Sequence, residues 1–214
     1  MDLHVFPMGP LEVNCYLLLG QASTEAGGGL EAVAVDPGGN PRKALDLLQK
    51  TGARLTHVLC THLHFDHIGG VRALVEATGA TACASPQDAY LLESELGRGG
   101  FMGLPEIELF DVTPLTPGEY VFAGQPCRVL ATPGHSPGSL SFYFPAIGRV
   151  FVGDLLFNRS VGRTDFPGGD FATLVRSIKE QIFTLPGATI VHSGHGESTT
   201  VDNERTHNPY LSEF

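Results

Sequence analysis

The chain has 214 residues and a formal net charge of -10, with 13 Lys and Arg against 23 Asp and Glu. Its 42% apolar and 17% charged residues are normal for a globular chain, and its length suits a single domain over residues 1–214. The acidic balance argues against a nucleic-acid partner, because such binding uses basic residues to neutralise phosphates, and against an anionic membrane surface.

The N-terminal segment and the cysteines predict a cytoplasmic protein. MDLHVFPMGPLEVNCY lacks the basic start and long apolar stretch of a signal peptide, and no run approaches the roughly 20 apolar residues of a membrane span. The four cysteines, at 15, 60, 83 and 127, form no CxxC motif. Because they lie in apolar runs, we expect buried thiols.

Strands and helices alternate in the first part of the chain. CYLLLG and AVAVDPG predict strands, and AGGGL (26–30) predicts the tip of a hairpin between them. PRKALDLLQKTG predicts a helix over 41–52, with Pro at its start and Gly after its end. We then expect four further elements: a strand at LTHVLCT, a helix at IGGVRALVEATG, a strand at TACAS and a helix at PQDAYLLESEL.

The second part of the chain has the same kinds of element. Strands are expected at YVFAG, CRVLATPG, SLSFYF, RVFVGD and ATIVHSGHG, and DFATLVRSIKEQIFTL predicts a helix with Asp170 as its N-cap. The Gly- and Pro-rich residues 97–118 predict a long loop. Its apolar residues Phe101, Met102 and Leu104 are candidates to line a pocket. Strands and helices in each half suggest two sheets packed face to face with helices outside.

The segment THLHFDH (61–67) places three of the nine histidines where a predicted strand ends. Residues two apart in an extended segment face the same way, so His62 and His64 can bind one ion. Asp66 and His67 lie where the chain turns into the next helix and can point toward a second ion. Imidazole and carboxylate ligands together suit zinc, iron or manganese.

Three later strands each run into a glycine-rich loop that carries one ligand-type residue. These residues are His135 in ATPGHSPGS, Asp154 in VFVGDLLF and His195 in VHSGHGES. Glycine beside a ligand lets the backbone approach a crowded site. Four strand ends that converge on one edge would assemble such a metal site.

HxHxDH, GHSPGS, GD and a late GH, in this order, resemble the metallo-β-lactamase superfamily over nearly the whole chain. The resemblance implies an α+β fold, an αββα four-layer sandwich of two mixed β-sheets with helices outside and metals at one edge. It also implies three ligand roles: a first ion on His62, His64 and His135, a second on Asp66, His67 and His195, and Asp154 bridging both.

Two divalent metal ions, with zinc expected and iron or manganese also suited, point to hydrolysis. Two such ions about 3.5 to 4 Å apart share a bridging hydroxide and lower the pKa of bound water to about 7. They also polarise the carbonyl under attack. Asp66 is the expected catalytic residue, because its carboxylate can accept the nucleophile's proton. The chain has no GxSxG motif and needs no Ser or Cys nucleophile.

NRSVGRTDFPGGD (158–170) resembles the segment after the bridging Asp in glyoxalase II-type thioesterases. There a basic residue, matched by Arg163, helps bind the glycine carboxylate of glutathione; Arg163 can instead pair with Asp165 and fix the loop. Glyoxalase II carries a further C-terminal helical substrate domain, whereas only 19 residues follow His195. The expected function is thus that of a short glyoxalase II-like thioesterase acting on S-lactoylglutathione or a related acyl thioester.

A persulfide dioxygenase of the same fold is the alternative, because its GRTDF segment resembles residues 162–166. That alternative implies one iron held by His62, His135 and Asp154. The acidic charge disfavours a nuclease, and the glycine-rich rims disfavour a closed, non-catalytic metal site. We expect a small-molecule thioester partner, with no nucleic acid and no membrane; the oligomeric state is not predicted.

Overall fold

A computed structural model describes residues 1–21 and 28–211, and the first half of the chain forms one sheet with its helices. Its elements are β1 (Asp2–Met8), β2 (Val13–Gln21), β3 (Leu30–Val35), α1 (Arg42–Thr51), β4 (Arg54–Leu59), α2 (Phe65–Ile68), α3 (Val71–Thr78), β5 (Thr81–Ala84), α4 (Glu95–Arg98) and β6 (Thr113–Pro114). The strands lie side by side in chain order. β1 to β3 pair antiparallel and β3 to β6 pair parallel, so the sheet is mixed.

The second half of the chain forms a second mixed sheet. Its elements are β7 (Gly118–Phe122), β8 (Gln125–Ala131), β9 (Leu140–Phe144), β10 (Arg149–Gly153), β11 (Leu156–Phe157), β12 (Ser160–Val161), α5 (Phe171–Ser177), β13 (Ile190–Ser193), β14 (Thr199–Thr200) and α6 (Val201–His207). The strand order is β14-β13-β10-β9-β8-β7, with β10 and β13 parallel, while β11 and β12 form a separate two-stranded ribbon.

Central strands of both sheets bury both faces, which explains why they read as continuous apolar runs. Along β2, Leu17 packs in the layer that includes α1 and α3, whereas Leu18 packs in the layer between the two sheets. Along β10, Phe151 lies between the sheets and Val150 packs in the layer that includes α5 and α6. Three apolar layers therefore lie between four layers of secondary structure, which are the first helices, the first sheet, the second sheet and the second helices. This arrangement confirms the predicted αββα sandwich.

Three helical regions differ from the sequence prediction. DFATLVRSIKEQIFTL forms α5 only as far as Ser177 and continues as a π-helical segment, Ile178–Ile182. PQDAYLLESEL forms a 3₁₀ segment, Pro86–Glu93, followed by α4. The break falls at Ser94, whose extended backbone (φ -113°, ψ 162°) ends the 3₁₀ segment, while its hydroxyl donates to the carbonyl of Leu91. The sequence pattern does not predict α6, because only Val201 and Glu204 are buried in it and its apolar periodicity is weak.

Other predicted features are present in the described residues. The Asp170 Oδ1 atom accepts a hydrogen bond from the Thr173 N–H at 2.7 Å, so this residue caps α5 as expected. β2 and β3 pair antiparallel, although residues 26 and 27 of the expected hairpin tip lie outside the described residues. All four cysteines are buried and free, which confirms their prediction. Within residues 1–21 and 28–211, no helix has the length and apolar character needed to cross a membrane.

Backbone hydrogen bonds join the loops that leave one edge of the two sheets. The Leu140 N–H donates to the carbonyl of Thr61 at 2.8 Å and thereby links the ends of the two sheets. The Gly194 N–H donates to the carbonyl of Gly153 at 2.8 Å, and the Asn14 N–H donates to the carbonyl of Gly194 at 2.7 Å. The loops that follow β4, β8, β10 and β13 are therefore held together at this edge.

Phe142 tests the apolar layer between the two sheets, because its side chain is fully buried there. We expect Phe142→Ala to lower the free energy of unfolding by about 3–5 kcal/mol through lost transfer free energy and a residual cavity. Val121→Ala, in the same sheet but at a side chain that is 66% exposed, should change it by less than about 0.5 kcal/mol. Urea unfolding measures both values, and equal stability of Phe142→Ala and the parent protein would contradict this packing.

Candidate metal centre

The candidate ligands converge where the strands end. Ligand atoms within 4.8 Å of one another form three groups: His62, His64 and His135; Asp66, His67 and His195; and His62, His67 and Asp154. The first two groups coincide with the two ligand sets expected from the sequence. Asp154 lies between them, since its Oδ1 is 3.3 Å from the Nε2 of His67 and its Oδ2 is 3.9 Å from the Nε2 of His135.

Several buried polar atoms in this cluster have no hydrogen-bond partner among the residues that the structure describes. They are the Nε2 atoms of His62 and His67 and the Oδ1 atom of Asp154. Leaving such atoms unpaired in a protein interior costs free energy, so their presence together calls for a ligand. Imidazole nitrogens and carboxylate oxygens are donors that zinc, iron and manganese accept. The residues therefore fit divalent metal ions.

A glycine leaves the room that this cluster needs. A Cβ atom at Gly194 would lie 2.3 Å from the Oδ1 of Asp154 and 2.5 Å from the Cε1 of His67. Any larger residue would therefore displace one of the two side chains. Glycine is therefore needed before His195 because the side chains of Asp154 and His67 approach its backbone closely, and not only because the chain turns there.

The ring nitrogens that face away from the cluster are held by oxygen atoms. The Nδ1 of His67 lies 2.9 Å from Asp36 Oδ2, that of His135 lies 2.8 Å from the carbonyl of Arg163, and that of His195 lies 3.0 Å from the carbonyl of Leu11. These oxygens only accept hydrogen bonds, so each Nδ1 carries the proton. Each Nε2 faces the cluster: that of His135 lies 2.9 Å from the Nδ1 of His64, and that of His195 lies 3.2 Å from the Oδ2 of Asp66. With the proton held on Nδ1, each Nε2 can give its lone pair to a metal ion, as metal-binding histidines do.

Asp36 is a positioning residue that the sequence analysis missed. Its carboxylate accepts hydrogen bonds from the backbone N–H and the hydroxyl of Thr61 at 2.7 and 2.6 Å, and from His67. The hydroxyl of Thr61 in turn lies 3.0 Å from the Nδ1 of His62, so Asp36 orients two rings. Its φ of +48° is a left-handed conformation that Asp adopts more readily than most residues. In the sequence, AVDPGG indicates only a strand followed by a turn.

Asp88 is a second buried carboxylate that the sequence analysis missed, and it connects two ligand-bearing segments. Its oxygens accept hydrogen bonds from the hydroxyl of Ser136 and the backbone N–H of Gly138, both at 2.7 Å, and from the backbone N–H of Leu63. Leu63 lies between two candidate ligands, and Ser136 follows a third. Burial raises the pKa of this carboxyl group, which these hydrogen bonds partly offset.

The electrostatic field at the centre favours positive charge. Burial lowers the pKa of His64 to about 3 and also lowers the pKa of His62, so both rings are neutral at pH 7. Burial opposes ionisation of Asp154, but the neighbouring His67 outweighs it and lowers the pKa of this carboxyl group. Burial likewise disfavours a charged His67, yet the adjacent carboxylates of Asp154 and Asp66 raise its pKa. The carboxylates therefore favour a positive charge at the centre, which a bound cation would supply in place of the proton on His67.

A cavity of about 260 Å³ opens onto the candidate ligands. Phe101 and Leu104 line it, as suggested by the sequence, but Met102 does not, because its side chain is 93% exposed and its φ is +50°. A larger cavity of about 600 Å³ lies around Arg72 and Leu109 and contains none of the candidate ligands. Volume alone therefore does not identify the site, whereas the convergent ligands do.

Arg163 also lines the cavity beside the ligands, and its guanidinium is engaged. The Nε and Nη2 atoms donate to Asp165 at 2.7 and 2.6 Å, and the guanidinium lies 3.9 Å from the centroid of the Phe166 ring. The pairing with Asp165 considered from the sequence is thus present. Since the side chains of Arg163 and Asp165 are 56% and 66% exposed, the pair adds little stability, and the Nη1 atom is not part of it.

Comparison with known proteins gives consistent matches over almost the whole chain. A family model described as Metallo-beta-lactamase superfamily matches residues 8–195. The chain is 32% identical over 216 residues to hydroxyacylglutathione hydrolase GloC of Haemophilus influenzae, covering 99% of each protein. It is 34% identical over 211 residues to the probable metallo-hydrolase YqgX of Bacillus subtilis, covering 97% of this chain and 96% of the relative.

Solved structures are similar over the same extent. BLEG-1, a B3 metallo-beta-lactamase, has a TM-score of 0.87 and 35% identity, covering 99% of this chain and 100% of that one. TTHA1623 in a di-iron-bound form has a TM-score of 0.83 and 40% identity, covering 97% and 100%. ETHE1 from Myxococcus xanthus has a TM-score of 0.72 and 30% identity, covering 98% and 84%.

Asp36→Asn tests how the protein orients His67. Asn tolerates the left-handed backbone, but one carboxylate oxygen becomes an amide NH₂ group. This group can only donate, so it cannot accept the hydrogen bond from the Nδ1–H of His67 or from Thr61. We expect the affinity for the ion held by Asp66, His67 and His195 to fall by about 10- to 100-fold. Equilibrium dialysis with zinc measures the affinity, and Asp46→Asn, at an exposed carboxylate on α1, is the matched control. Unchanged affinity in Asp36→Asn would show that His67 does not depend on this carboxylate.

Proposed function

The chain belongs to the metallo-beta-lactamase superfamily, and on this premise we propose that it is a dinuclear-metal hydrolase of acyl thioesters, similar to glyoxalase II. The observation that carries the proposal is the pair of three-residue ligand groups with the carboxylate of Asp154 between them, beside an open cavity. The similarity to GloC, a hydroxyacylglutathione hydrolase, supports a thioester such as S-lactoylglutathione as the substrate.

Thioester hydrolysis adds water across the bond between the acyl carbon and sulfur. The water oxygen forms a bond to the acyl carbon, the carbon–sulfur bond breaks, and the sulfur leaves as a thiol after it gains a proton. When bound, two divalent ions lower the pKa of water and stabilise the negative charge that develops on the carbonyl oxygen. His62, His64 and His135 would hold one ion, while Asp66, His67 and His195 would hold the other. Zinc is the expected metal, and the same donors accept iron or manganese.

Asp66 is the proposed proton acceptor. Its carboxylate lines the cavity, and its Oδ2 lies 3.2 Å from the Nε2 of His195. Burial acts to raise the pKa of this carboxyl group, but His67 and His195 outweigh it, so the pKa is lowered and the group is ionised at neutral pH. It can therefore take the proton of the attacking water and orient that water beside the substrate carbonyl.

A persulfide dioxygenase with one iron is the alternative. His62, His135 and Asp154, which that enzyme class would use, all lie within the cluster, and the similarity to ETHE1 fits this function. The complete second ligand set favours the hydrolase, because a single iron leaves Asp66, His67 and His195 without that role. A cytoplasmic location, and the absence of nucleic-acid and membrane partners, remain predictions.

Two assays on metal-loaded protein separate these functions. We expect cleavage of S-lactoylglutathione by the zinc-loaded protein, and its loss in Asp154→Ala, because removing the carboxylate between the ligand groups releases metal. Glutathione persulfide should cause no oxygen uptake by the iron-loaded protein. Oxygen uptake without thioester cleavage would instead establish the dioxygenase. A β-lactam substrate belongs in the same panel, given the similarity to BLEG-1.

Arg163→Ala tests the proposed contact with the thiol portion of the substrate. We expect a rise in KM of about 5- to 10-fold for S-lactoylglutathione, equivalent to the roughly 1–1.5 kcal/mol of one exposed charge contact. Metal content should not change, since the backbone carbonyl, not the side chain, contacts His135. An uncharged N-acetylcysteamine thioester is the control substrate. Equal effects on both substrates would mean that the arginine acts only through the loop.

A further inference from the structure

The wall of the cavity beside the metal centre is apolar apart from the candidate ligands. It is formed by Leu11, Phe65, Leu96, Phe101, Leu104 and Phe166. The remaining side chain in the wall is that of Arg163, whose guanidinium is paired with Asp165 and stacked on the ring of Phe166. The wall therefore offers a substrate contact area dominated by carbon, next to the position where a carbonyl group would be hydrolysed.

The loop that supplies part of this wall is closed by its own hydrogen bonds. Gly99 and Glu106 form an isolated β-bridge, and the Leu104 N–H donates to the carbonyl of Phe101 at 2.9 Å. Phe101 and Leu104 pack against the apolar layer beneath α1 and α3, and the Phe101 ring meets the Phe65 ring edge-on at 5.6 Å. The side chain of the neighbouring Met102 is exposed to solvent. The loop thus presents a formed surface toward the cavity.

Phe166 extends the apolar wall to the metal centre itself. Its ring lies edge-on to the ring of His64, a candidate ligand, with the centroids 5.6 Å apart. The guanidinium of Arg163 covers one face of this ring and limits its movement. A substrate group in the cavity would therefore contact Phe166 close to the reacting carbonyl.

These contacts select for an apolar group. An apolar wall stabilises a ligand by removing apolar surface from water, so each further methylene of an acyl chain that lies against it adds binding free energy. A volume of about 260 Å³ is smaller than the roughly 300–1,000 Å³ of pockets that hold whole drug-sized ligands, so it accommodates one part of a substrate. We propose that this cavity is an acyl-binding pocket that favours longer apolar acyl groups over short ones. This inference rests on the thioesterase function proposed above.

The test is a series of N-acetylcysteamine thioesters from acetyl to octanoyl, with zinc-loaded protein. The carrier is uncharged and is the same in every thioester, so a charge contact between Arg163 and the thiol portion does not vary along the series. We expect kcat/KM to rise by about three- to fourfold for each methylene until the cavity is full, the ratio expected when a methylene is buried. Similar kcat/KM for the acetyl and hexanoyl thioesters would overturn the proposal.

Variants of the loop test whether Phe101 and Leu104 determine the dependence of kcat/KM on acyl length. Phe101→Ala combined with Leu104→Ala should flatten the dependence on acyl length, and Leu104→Phe, which narrows the cavity, should move the optimum to shorter chains. Met102→Ala is the matched control in the same loop and should leave the whole series unchanged. If Leu104→Phe and the double alanine variant both retain the parent's dependence on acyl length, these side chains do not form the pocket.

Binding of the carboxylate products gives a readout that does not require turnover. We expect hexanoate to bind the zinc-loaded protein more tightly than acetate in calorimetry, by about three- to fourfold for each methylene. If no thioester is cleaved but hexanoate is preferred, the thioesterase function fails and the apolar pocket remains. Equal binding of hexanoate and acetate would overturn the pocket, whatever the activity.

Discussion

The candidate metal centre depends on a group of buried polar atoms that have no hydrogen-bond partner among residues 1–21 and 28–211. They are the Nε2 atoms of His62 and His67 and the Oδ1 of Asp154. A bound cation would satisfy these atoms, which otherwise destabilise the folded state because they are buried and unpaired. The surrounding features serve this arrangement. Strands of both sheets end at this edge, Gly194 leaves space for the side chains, and Asp36 fixes the ring of His67.

The same arrangement connects the fold to chemistry. Two three-residue ligand groups with one carboxylate between them suit two divalent ions. Superfamily membership alone does not choose a substrate, since one fold hosts several reactions. The proposal of a thioester substrate rests on the similarity to GloC and on the cavity. The apolar wall of this cavity extends to the candidate ligands, because the ring of Phe166 contacts the ring of His64.

The convergence of the candidate ligands is predictable from the sequence because each of them lies in a short motif at a strand end, where local patterns are informative. Asp36 and Asp88 escape such analysis because their partners are distant in sequence: Asp36 contacts residues 25 and 31 positions away, and Asp88 contacts residues 48 and 50 positions away. A pattern also cannot decide which apolar residue of a loop faces inward. Met102 points to solvent because of its left-handed backbone, while its neighbour Phe101 lines the cavity.

Metal content per chain tests the central claim of a dinuclear centre most directly. The measurement is elemental analysis of protein purified without chelators or nickel affinity, repeated after dialysis against zinc. We expect close to two ions per chain, because both ligand groups are formed and Asp154 lies between them. A value close to one iron per chain, unchanged after zinc is offered, would contradict it and would favour the mononuclear dioxygenase.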